Sequence, residues 1–499
     1  MSDPEQRVAP IPYERARDGL SARRRRSDAE QNYSRLVDAA VQLLERSPSP
    51  SIDQIAAAAG LGRATIYRHF ANRNELLQAA RRQTLDATVI RLPVVAPGIS
   101  QVTEPHVQGN LGELLNLVPP HLIGEQIVAE ARRLGGVSSA ALYLVDIDGS
   151  RLLRFAGSQD FPGELPSPLA VGPEIPLEGV ANLRRVIAEE LPGSVAAPLY
   201  LRGRAIGLLL AVDADQTQLD SLASQAAVAL HLAEDYTDVI ASCRRHKAIS
   251  AAGEIQQNLL PPRVLQITGA ALAGNVLPSY DVGGDWFDYA ENSDGSWLAV
   301  ADATGNGPTA ASLAALALGA FRAARRSGAS HEQAARDMHE AVIAVAEERT
   351  VVTALIGRWH GTTTTFSWVN CGHLAPLLIG ATGDLSVLDG PDAGALGAPD
   401  SAGDWSPTEV RLKPGERLML YCDGITERTT MDGTAFGLHG IKKAVAQARN
   451  SSAAATVKAI EDAVTNASTE PLQDDATLLV LVPTETTGPQ RSPSRRQEP

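Results

Sequence analysis

Four short aspartate-containing segments in the second half of this 499-residue chain constrain its fold more than any other feature. They are VGGDWFDY at 282–289, ADATGNG at 301–307, LYCDGITE at 420–427 and QDDATLLVL at 473–481. Each places one or two aspartates beside a hydrophobic run, where a strand is expected to meet a loop. Hard divalent cations take oxygen ligands and need several carboxylates from distant parts of a chain. Aspartate is also a common turn residue, so one segment would mean little, but four together predict the metal centre of a hydrolase.

The bulk composition permits this interpretation and restricts others. A chain of this length is too long for one hydrophobic core and predicts about three domains. The net charge of −14 is unevenly spread, because the segment ARRRR at 22–26 opens a basic N-terminal region. Cys243, Cys371 and Cys422 lack paired spacing, which disfavours a disulfide framework. With no signal-peptide pattern and no apolar stretch of membrane length, we expect a soluble cytoplasmic protein without a membrane partner.

The N-terminal region has the pattern of a helix-turn-helix unit. Apolar residues at helical spacing predict a helix over 31–46, and Ser51 is expected to cap a second helix that stops at Gly60. A third segment, RATIYRHF at 63–70, follows after two residues. Two helices joined by a tight turn form the unit that inserts its second helix into the DNA major groove. The side chains expected to contact bases and phosphates are those of Arg63, Thr65, Tyr67, Arg68 and His69.

Residues 30–80, above all IDQIAAAAGLGRATIYRHFANRNELL, resemble the DNA-binding domain of TetR-type repressors. The resemblance implies double-stranded DNA as a partner and a homodimer, since such readers use two half-sites. An ordinary helical hairpin is the alternative. The ligand domain usual in those repressors does not follow. We assign residues 1–20 to a disordered terminus and 21–86 to this DNA-binding domain.

A mixed α/β region follows a proline-containing linker at 87–110. Periodicity predicts two helices and four strands at 121–134, 140–147, 151–157, 194–212 (a strand pair) and 216–240. This order resembles a GAF domain, a small sensory module, over residues 111–238. The resemblance implies a pocket for a small ligand. The simpler alternative is a spacer domain that dimerises and whose core is filled by its own side chains.

A further helix is expected over the segment 239–262, which ends in AAGEIQQNLLPP, because Pro261 and Pro262 enforce a stop. Strands and helices then alternate up to the final strand ATLLVLV, a pattern that predicts a layered α/β sandwich. Residues 245–483 resemble the PPM-type metal-dependent protein phosphatases, in particular the bacterial branch that dephosphorylates regulators of sigma factors. In that branch the Ile-Gln-x-x-Leu-Leu-Pro-Pro helix is a regulatory linker.

The fold class expected for the whole chain is therefore multidomain α and α/β. An N-terminal all-α helix-turn-helix domain precedes a central GAF-like α/β sensor and a C-terminal αββα phosphatase sandwich. We place the phosphatase domain at 263–483 and a disordered tail at 484–499.

The resemblance to PPM-type phosphatases implies a site for two Mn²⁺ or Mg²⁺ ions. Its ligands, carried over by motif, are Asp285, Asp302, the backbone carbonyl of Ala303, Asp423 and Asp474. Asp302 would bridge the two ions, and Asp475 ranks below its neighbour Asp474. The residues implied as catalytic are Asp302, Asp285 and Asp423. A metal-activated water would attack the phosphorus of phosphoserine or phosphothreonine in line, on a substrate that is by resemblance a phosphorylated anti-anti-sigma factor.

Three positions near these motifs bear on mechanism. Asn306 stands where many PPM-type phosphatases have a histidine that is a candidate general acid, so either a metal-bound water supplies that proton or the rate is reduced. His373, in the segment NCGH, is expected to shape its loop rather than to catalyse. Cys422 is expected in the core, because the anionic Asp423 beside it disfavours a reactive thiolate.

A second function stays open at this point. The TetR-like N-terminus and Asn306 together fit a one-component transcriptional regulator whose phosphatase-like domain serves mainly to bind a partner.

Overall fold

The N-terminal helices bury one apolar face each in a core of their own, within the first of two units of the computed structural model, Met1–Val107. The structure describes residues 32–43, 50–70, 73, 76–77, 79–80, 118–167, 169–280, 283–345, 350–399, 401, 405–448 and 451–484. The predicted disordered terminus and the linker at 87–110 lie outside these residues, as does the tail beyond residue 484. Helix α1 occupies 32–43, α2 spans Ile52–Ala59 and α3 spans Arg63–His69.

The turn between α2 and α3 follows from its capping residues. Ser51 forms a capping box with Gln54, and Gly60 ends α2 in the left-handed conformation, with φ of 64°. Such a residue is the usual C-terminal signal of a helix, because glycine adopts positive φ without strain. Ile66 and Phe70 of the third segment pack into the same core as α1 and α2. The predicted helix-turn-helix is confirmed.

The second unit, Gln108–Pro499, begins with an antiparallel sheet that has helices on both faces. Its elements are α4 (Ile123–Arg133), β1 (Ser139–Val145), β2 (Arg151–Gly157), β3 (Glu164–Pro166), β4 (Ile175–Pro176), α5 (Leu177–Glu190), β5 (Ser194–Leu201), β6 (Arg204–Val212) and α6 (Gln216–Ala233), with a 3₁₀ turn at Pro120–Leu122. The strand order is β3-β2-β1-β6-β4, and β5 also pairs with β6. Helices α4 and α6 cover one face, and α5 covers the other.

The continuous helices predicted over 216–240 and 239–262 are wrong. Helix α6 ends at Ala233, a 3₁₀ turn spans Glu234–Tyr236, and the short α7 spans Val239–Cys243. The chain then leaves helical geometry until α8, Ala251–Leu259. In this break the backbone N–H of His246 donates to Asp146 and Tyr280, each at 3.1 Å. Tertiary hydrogen bonds thus replace the helical ones.

The C-terminal part of this unit contains two further sheets. Their strands are β7 (Val264–Ile267), β8 (Ala270–Leu277), β9 (Asp285–Asn292), β10 (Gly295–Ala303), β11 (Val352–His360), β12 (Thr365–Cys371), β13 (Leu377–Ile379), β14 (Leu385–Val387), β15 (Thr408–Arg411), β16 (Arg417–Tyr421) and β17 (Ala476–Pro483). The helices are α9 (Gly307–Arg326), α10 (His331–Ile343), α11 (Asp423–Thr426), α12 (Gly437–Gln447) and α13 (Ala453–Asn466). One sheet has the order β15-β12-β11-β10-β9, and the other β14-β13-β16-β17-β8-β7.

The two sheets pack face to face between two helical layers. Alternation along β10 shows this: Leu298 and Val300 enter the core between the sheets, while Ala299 and Ala301 face α9. Helices α9 and α10 cover the five-stranded sheet, and α12 and α13 cover the six-stranded one. The predicted αββα order of layers is observed. Among the described helices, none combines the length and the apolarity needed to cross a bilayer.

Buried polar contacts join the middle region to this sandwich. Glu174, 6% exposed, pairs with Arg204 at 2.8 Å and accepts a hydrogen bond from the backbone N–H of Val264 at 2.8 Å. The Tyr280 hydroxyl donates to the fully buried carboxylate of Asp146 at 2.8 Å. Middle region and sandwich are therefore parts of one unit rather than separate bodies.

Candidate metal centre

Two of the predicted aspartates lie opposite each other on neighbouring strands. Asp285 begins β9 and pairs in register with Asp302, near the end of β10. Asp285 is 2% exposed, and its Oδ2 accepts a hydrogen bond from the Thr477 hydroxyl at 2.5 Å. Burial, followed by the charges of Asp302 and Asp475, raises the pKa of Asp285 well above its ordinary value. Like charges opposed across strands are unfavourable unless something compensates them.

The other two aspartates come from the second sheet. Asp423 follows β16 and starts α11, while Asp474 precedes β17, the partner strand of β16. Burial raises the pKa of Asp302 to about 6; its hydrogen bond with Asp285 opposes this rise, and the charges of Asp423 and Asp474 add to it. Burial and Asp423 likewise raise the pKa of Asp474. Asp302 thus interacts electrostatically with each of the other three predicted carboxylates.

The donor set fits hard divalent cations. Among the residues that the structure describes, no cationic side chain forms an ion pair with any of these four carboxylates. Oxygen atoms are the ligands that Mg²⁺ and Mn²⁺ prefer, and several carboxylates at close quarters need cations to offset their repulsion.

Asp475 has a different environment from Asp474. Its Oδ2 accepts three hydrogen bonds, from the backbone N–H groups of Gly284 (3.0 Å) and Asp285 (3.1 Å) and from Gln256 Nε2 (2.9 Å). Its Oδ1 is buried and, among the described residues, has no hydrogen-bond partner. Burial raises the pKa of Asp475 to about 7 despite these hydrogen bonds. Asp475 thus fixes the start of β9.

Gln256 is a residue that sequence reasoning missed. It lies on α8 and is 1% exposed; besides Asp475, its amide donates to the carbonyl of Asp285 at 3.1 Å. The helix before the sandwich therefore touches the immediate surroundings of the aspartates. The segment Ile-Gln-x-x-Leu-Leu-Pro-Pro was the available signal, but its spacing alone does not say which glutamine points inward.

Two glycines permit the close approach of backbone segments here. A Cβ at Gly284 would lie 2.7 Å from the carbonyl oxygen of Ala303. The backbone N–H of Ala303 in turn donates to the Gly284 carbonyl at 3.1 Å. A Cβ at Gly424 would overlap the carbonyl of Asp475. Larger residues would push apart the strand ends that carry the aspartates.

Both ring nitrogens of His373 form hydrogen bonds. Its Nε2–H donates to the Tyr421 carbonyl at 3.0 Å, and its Nδ1 accepts from the Thr353 hydroxyl at 2.8 Å. Burial lowers its pKa to about 4, so the ring is neutral at pH 7. Thr353 lies on β11 and is the cross-strand partner of Asp302. Tyr421 ends β16, two residues before Asp423. The two hydrogen bonds of His373 therefore link the neighbour of Asp302 to the strand that leads to Asp423. This agrees with a loop-shaping role.

Cys422 and Asn306 differ in exposure. Cys422 is fully buried, its thiol contacts the Asp475 carbonyl at 3.0 Å, and burial raises its pKa well above the ordinary value. Its predicted core position is confirmed. Asn306 is exposed at the N-terminus of α9, and its side chain makes no capping hydrogen bond there.

The residues expected to contact DNA lie on α3 of the first unit. Tyr67 is 57% exposed, and Arg63 and Arg68 are exposed as well, while Thr65 and His69 are half-buried. Arg63 forms an ion pair with Asp53 on α2. The exposed side of α3 thus presents basic and hydrogen-bonding groups, opposite the buried Ile66.

Among the described residues, the side chains that place ligand atoms close enough together to hold a metal ion lie elsewhere, and no three of the four aspartates meet the same 4.8 Å limit. One ligand atom each from Asp146, Asp148 and His246 falls within 4.8 Å of the others, so the group could hold a metal ion. The His246 Nδ1 lies 2.7 Å from Asp146 Oδ2. Sequence reasoning missed this group, because about a hundred residues separate the histidine from an Asp-Gly turn that is ordinary in itself.

Two parts of the chain match known families. Residues 292–483 match the family described as Stage II sporulation protein E (SpoIIE), and residues 36–80 match the bacterial regulatory proteins, tetR family. The chain carries a SpoIIE-type phosphatase domain behind a TetR-type domain. The SpoIIE-type match includes Asp302, Asp423 and Asp474, whereas Asp285 precedes it. Neither match includes the middle region, so its GAF-like interpretation stays a prediction.

Individual relatives agree with both domains. The chain is 24% identical over 233 residues to the phosphoserine phosphatase RsbU of Bacillus subtilis (strain 168), covering 47% of this chain and 69% of RsbU. It is 39% identical over 57 residues to the HTH-type transcriptional repressor LfrR of Mycolicibacterium smegmatis (strain ATCC 700084 / mc(2)155), covering 11% of this chain but only 30% of LfrR. The solved SiaA-PP2C domain of Pseudomonas aeruginosa is similar at 22% identity with a TM-score of 0.40, covering 46% of this chain and 93% of that structure.

Proposed function

We propose that the chain is a metal-dependent protein phosphatase that hydrolyses phosphoserine or phosphothreonine on a regulatory protein. The observation that carries this proposal is the convergence of Asp285, Asp302, Asp423 and Asp474 from four strand ends without a cationic partner among the described residues. The similarity of nearly half the chain to RsbU supports it.

In this proposal the site residues hold two Mn²⁺ or Mg²⁺ ions. The groups that would hold the ions are Asp285, Asp302, the Ala303 carbonyl, Asp423 and Asp474. When bound, such ions supply an activated water and neutralise charge that develops on the phosphoryl oxygens. Uncatalysed phosphomonoester hydrolysis is very slow, so this electrostatic stabilisation carries most of the acceleration.

The protein's own groups orient this site. Asp475 and Gln256 fix the backbone at Gly284 and Asp285, and Thr477 holds one oxygen of Asp285. The exposed Asn306 offers no proton for the leaving alcohol, because a carboxamide is not an acid at neutral pH.

The direct test is hydrolysis of a phosphoserine protein by the purified chain with Mn²⁺. We expect Asp302→Ala and Asp423→Ala to lose nearly all activity while circular dichroism stays unchanged. Asp389→Ala, which removes an exposed aspartate that is not a candidate ligand, is the matched control. Activity that survives Asp302→Ala and Asp423→Ala would exclude this function.

The position of Asn306 allows a second measurement. A large gain in kcat for Asn306→His would show that the native chain works with a weakened acid step. An unchanged kcat would favour proton delivery by water.

The substrate class follows from similarity rather than from geometry. RsbU is named a phosphoserine phosphatase, and the resemblance to its branch suggests a phosphorylated anti-anti-sigma factor. Incubating the chain with such a phosphoprotein and following its phosphate by mass spectrometry tests this choice.

A second candidate function is operator binding by the TetR-type domain. The exposed basic face of α3 favours it, and LfrR is named a transcriptional repressor. In the alternative form of this proposal the chain is a one-component regulator, and the phosphatase-type domain mainly binds a partner. Salt-dependent binding of the full chain to a palindromic site from its own promoter region tests it, with Arg68→Ala expected to weaken binding and to reduce the salt slope by about one.

The remaining parts of the proposal concern organisation. We propose the domain boundaries given above, a small ligand for the GAF-like region, and a homodimer that matches two DNA half-sites. The three free cysteines, Cys243, Cys371 and Cys422, support a cytoplasmic location. Sedimentation equilibrium and ligand-dependent thermal shifts test the dimer and the ligand separately.

A further inference from the structure

A cavity of about 540 Å³ opens beside Asp474, one of the four aspartates. Asp474 lines it, and so does Gly424, the residue after Asp423. Its volume lies within the range of roughly 300–1,000 Å³ that is usual for ligand sites. A molecule that presents a phosphoryl group to the aspartates must extend away from them, and this cavity is adjoining space.

The free charges on the cavity wall are acidic. Glu427 and Glu470 are exposed and, within the part of the chain that the structure describes, neither carboxylate takes part in an ion pair. Asp474 adds a third carboxylate. Arg428 also lines the cavity, but it is 7% exposed, and its guanidinium donates to the carbonyls of Pro471 (2.7 Å) and Glu470. Its charge is therefore directed into the wall, and the exposed charged side chains that line the open space are carboxylates.

An apolar side chain lies at the border of the same cavity. Met431 lines it and is 75% exposed. Methionine adapts its shape to varied partners. Lysine and arginine carry long apolar stems below their charged ends, so one side chain can contact both the methionine and a carboxylate.

We propose that this cavity docks a segment of the phosphoprotein substrate in which lysine or arginine residues flank the phosphorylated residue. The inference rests on the phosphatase function proposed above and adds a charge preference to it. Glu427 and Glu470 attract the basic side chains, and Met431 packs against their stems. Charge complementarity of this kind selects partners by rejecting acidic ones as well as by attracting basic ones.

The test compares two phosphoserine peptides that differ only in the residues flanking the phosphoserine, lysine in one and glutamate in the other. With the full chain and Mn²⁺ at low ionic strength, we expect kcat/KM to be about tenfold higher for the lysine peptide. The difference should reside in KM and should shrink as salt is added. p-Nitrophenyl phosphate, which is too small to fill the cavity, provides the reference activity.

Substitutions of residues that line the cavity test whether the preference for the lysine peptide arises at this surface. Glu470→Gln should lower the ratio of kcat/KM for the lysine peptide to that for p-nitrophenyl phosphate by about threefold, the size expected of one exposed ion pair. Glu470→Lys should lower it further and improve the glutamate peptide. Glu409→Gln, which changes an exposed carboxylate on β15, is the matched control and should leave both ratios unchanged.

The outcomes separate this inference from the function on which it rests. Equal kcat/KM for the two peptides, or a preference that Glu470→Lys does not alter, overturns the docking inference and leaves the phosphatase intact. If neither peptide nor p-nitrophenyl phosphate is hydrolysed, the proposed function fails. In that case fluorescence anisotropy of the labelled lysine peptide still tests whether the cavity docks the peptide. Binding that Glu470→Lys weakens supports docking, and unchanged binding refutes it.

The chain's own basic tail is the competing occupant. It contains Arg491, Arg495 and Arg496. If deletion of residues 488–499 raises kcat/KM for the lysine peptide but not for the glutamate peptide, the cavity belongs to the tail, and the assignment to substrate is overturned.

Discussion

At the scale of single residues, Asp474 and Asp475 show how adjacent aspartates can have different roles. Asp474 is exposed beside the cavity, whereas Asp475 is 1% exposed and accepts three hydrogen bonds. The motif ranked Asp474 first as a ligand. Neither the motif nor the spacing predicted what Asp475 does, because its donors come from Gly284, Asp285 and Gln256, about 190 to 220 residues earlier in the chain.

We expect Asp475→Ala to lower the free energy of unfolding by about 3 kcal/mol, because it leaves two buried backbone N–H groups without an acceptor. Asp474→Asn should lose Mn²⁺-dependent activity and keep nearly all its stability. Urea unfolding in EDTA, with wild type alongside, separates the two. Equal stabilities of the two variants would contradict the distinction.

At the scale of elements, local signals predicted the helix ends better than the helix interiors. Ser51 and Gly60 mark the limits of α2, and Pro261 follows α8, as expected. The break at 244–250 was not predictable, because RRHKAIS contains no proline or glycine. Its cause is tertiary: Asp146 and Tyr280 take the hydrogen bond that a continuous helix would use.

Helix α8 is expected to control metal affinity through Gln256. We predict that Gln256→Ala raises the Mn²⁺ concentration for half-maximal activity at least tenfold, as is typical when a partner of a metal ligand is lost. Asn258→Ala is the matched control, because among the described residues that side chain donates hydrogen bonds to Glu254 of its own helix and to no other residue. Activity is measured for both variants as a function of Mn²⁺ concentration. Coincident curves would show that Gln256 does not affect metal affinity.

Helix α13 brings a pH-dependent contact to β8. Glu461, 5% exposed, accepts from Asn275 at 2.6 Å, and burial raises its pKa from 4.5 to about 7. An acid whose pKa is higher in the folded state stabilises the fold below its unfolded pKa, and this contribution is lost as pH rises through the folded pKa. Stability should fall by roughly 3 kcal/mol between pH 4.5 and 8 from this group.

Glu461→Gln tests this assignment, because it removes the titrating group but keeps an acceptor for Asn275. Unfolding free energies measured across that pH range should decline less for the variant than for wild type. Parallel pH profiles would show that Glu461 does not titrate there.

At the scale of the whole molecule, the sequence predicted a TetR-type region ahead of a SpoIIE-type region, as the family matches show, but not how the middle region joins the sandwich. Asp146 in the middle region and Tyr280 in the sandwich meet in a buried contact across 134 residues of sequence. The spacing of apolar residues in one sequence does not predict which residues pair across such a distance. Gln108–Pro499 is therefore one structural unit, and Val171 of the middle region packs into the core between the six-stranded sheet and its helices.

Tyr280→Phe should reduce the stability of this unit by about 1–2 kcal/mol, because the buried Asp146 loses a hydrogen-bond donor. Tyr236→Phe alters a side chain that is 78% exposed and should have no effect. Urea unfolding of the two variants gives the comparison. Identical midpoints would mean that the junction contributes nothing to folding.

The contact between Glu174 and Val264 has a consequence for how this protein behaves when its parts are separated. Strand β7 is the outermost strand of its sheet, and the Glu174 carboxylate occupies the Val264 N–H on it. A sandwich cut free of the middle region would present this N–H on a bare sheet edge, the kind of surface on which strands of other chains add. We therefore expect the isolated sandwich to aggregate more readily than Gln108–Pro499.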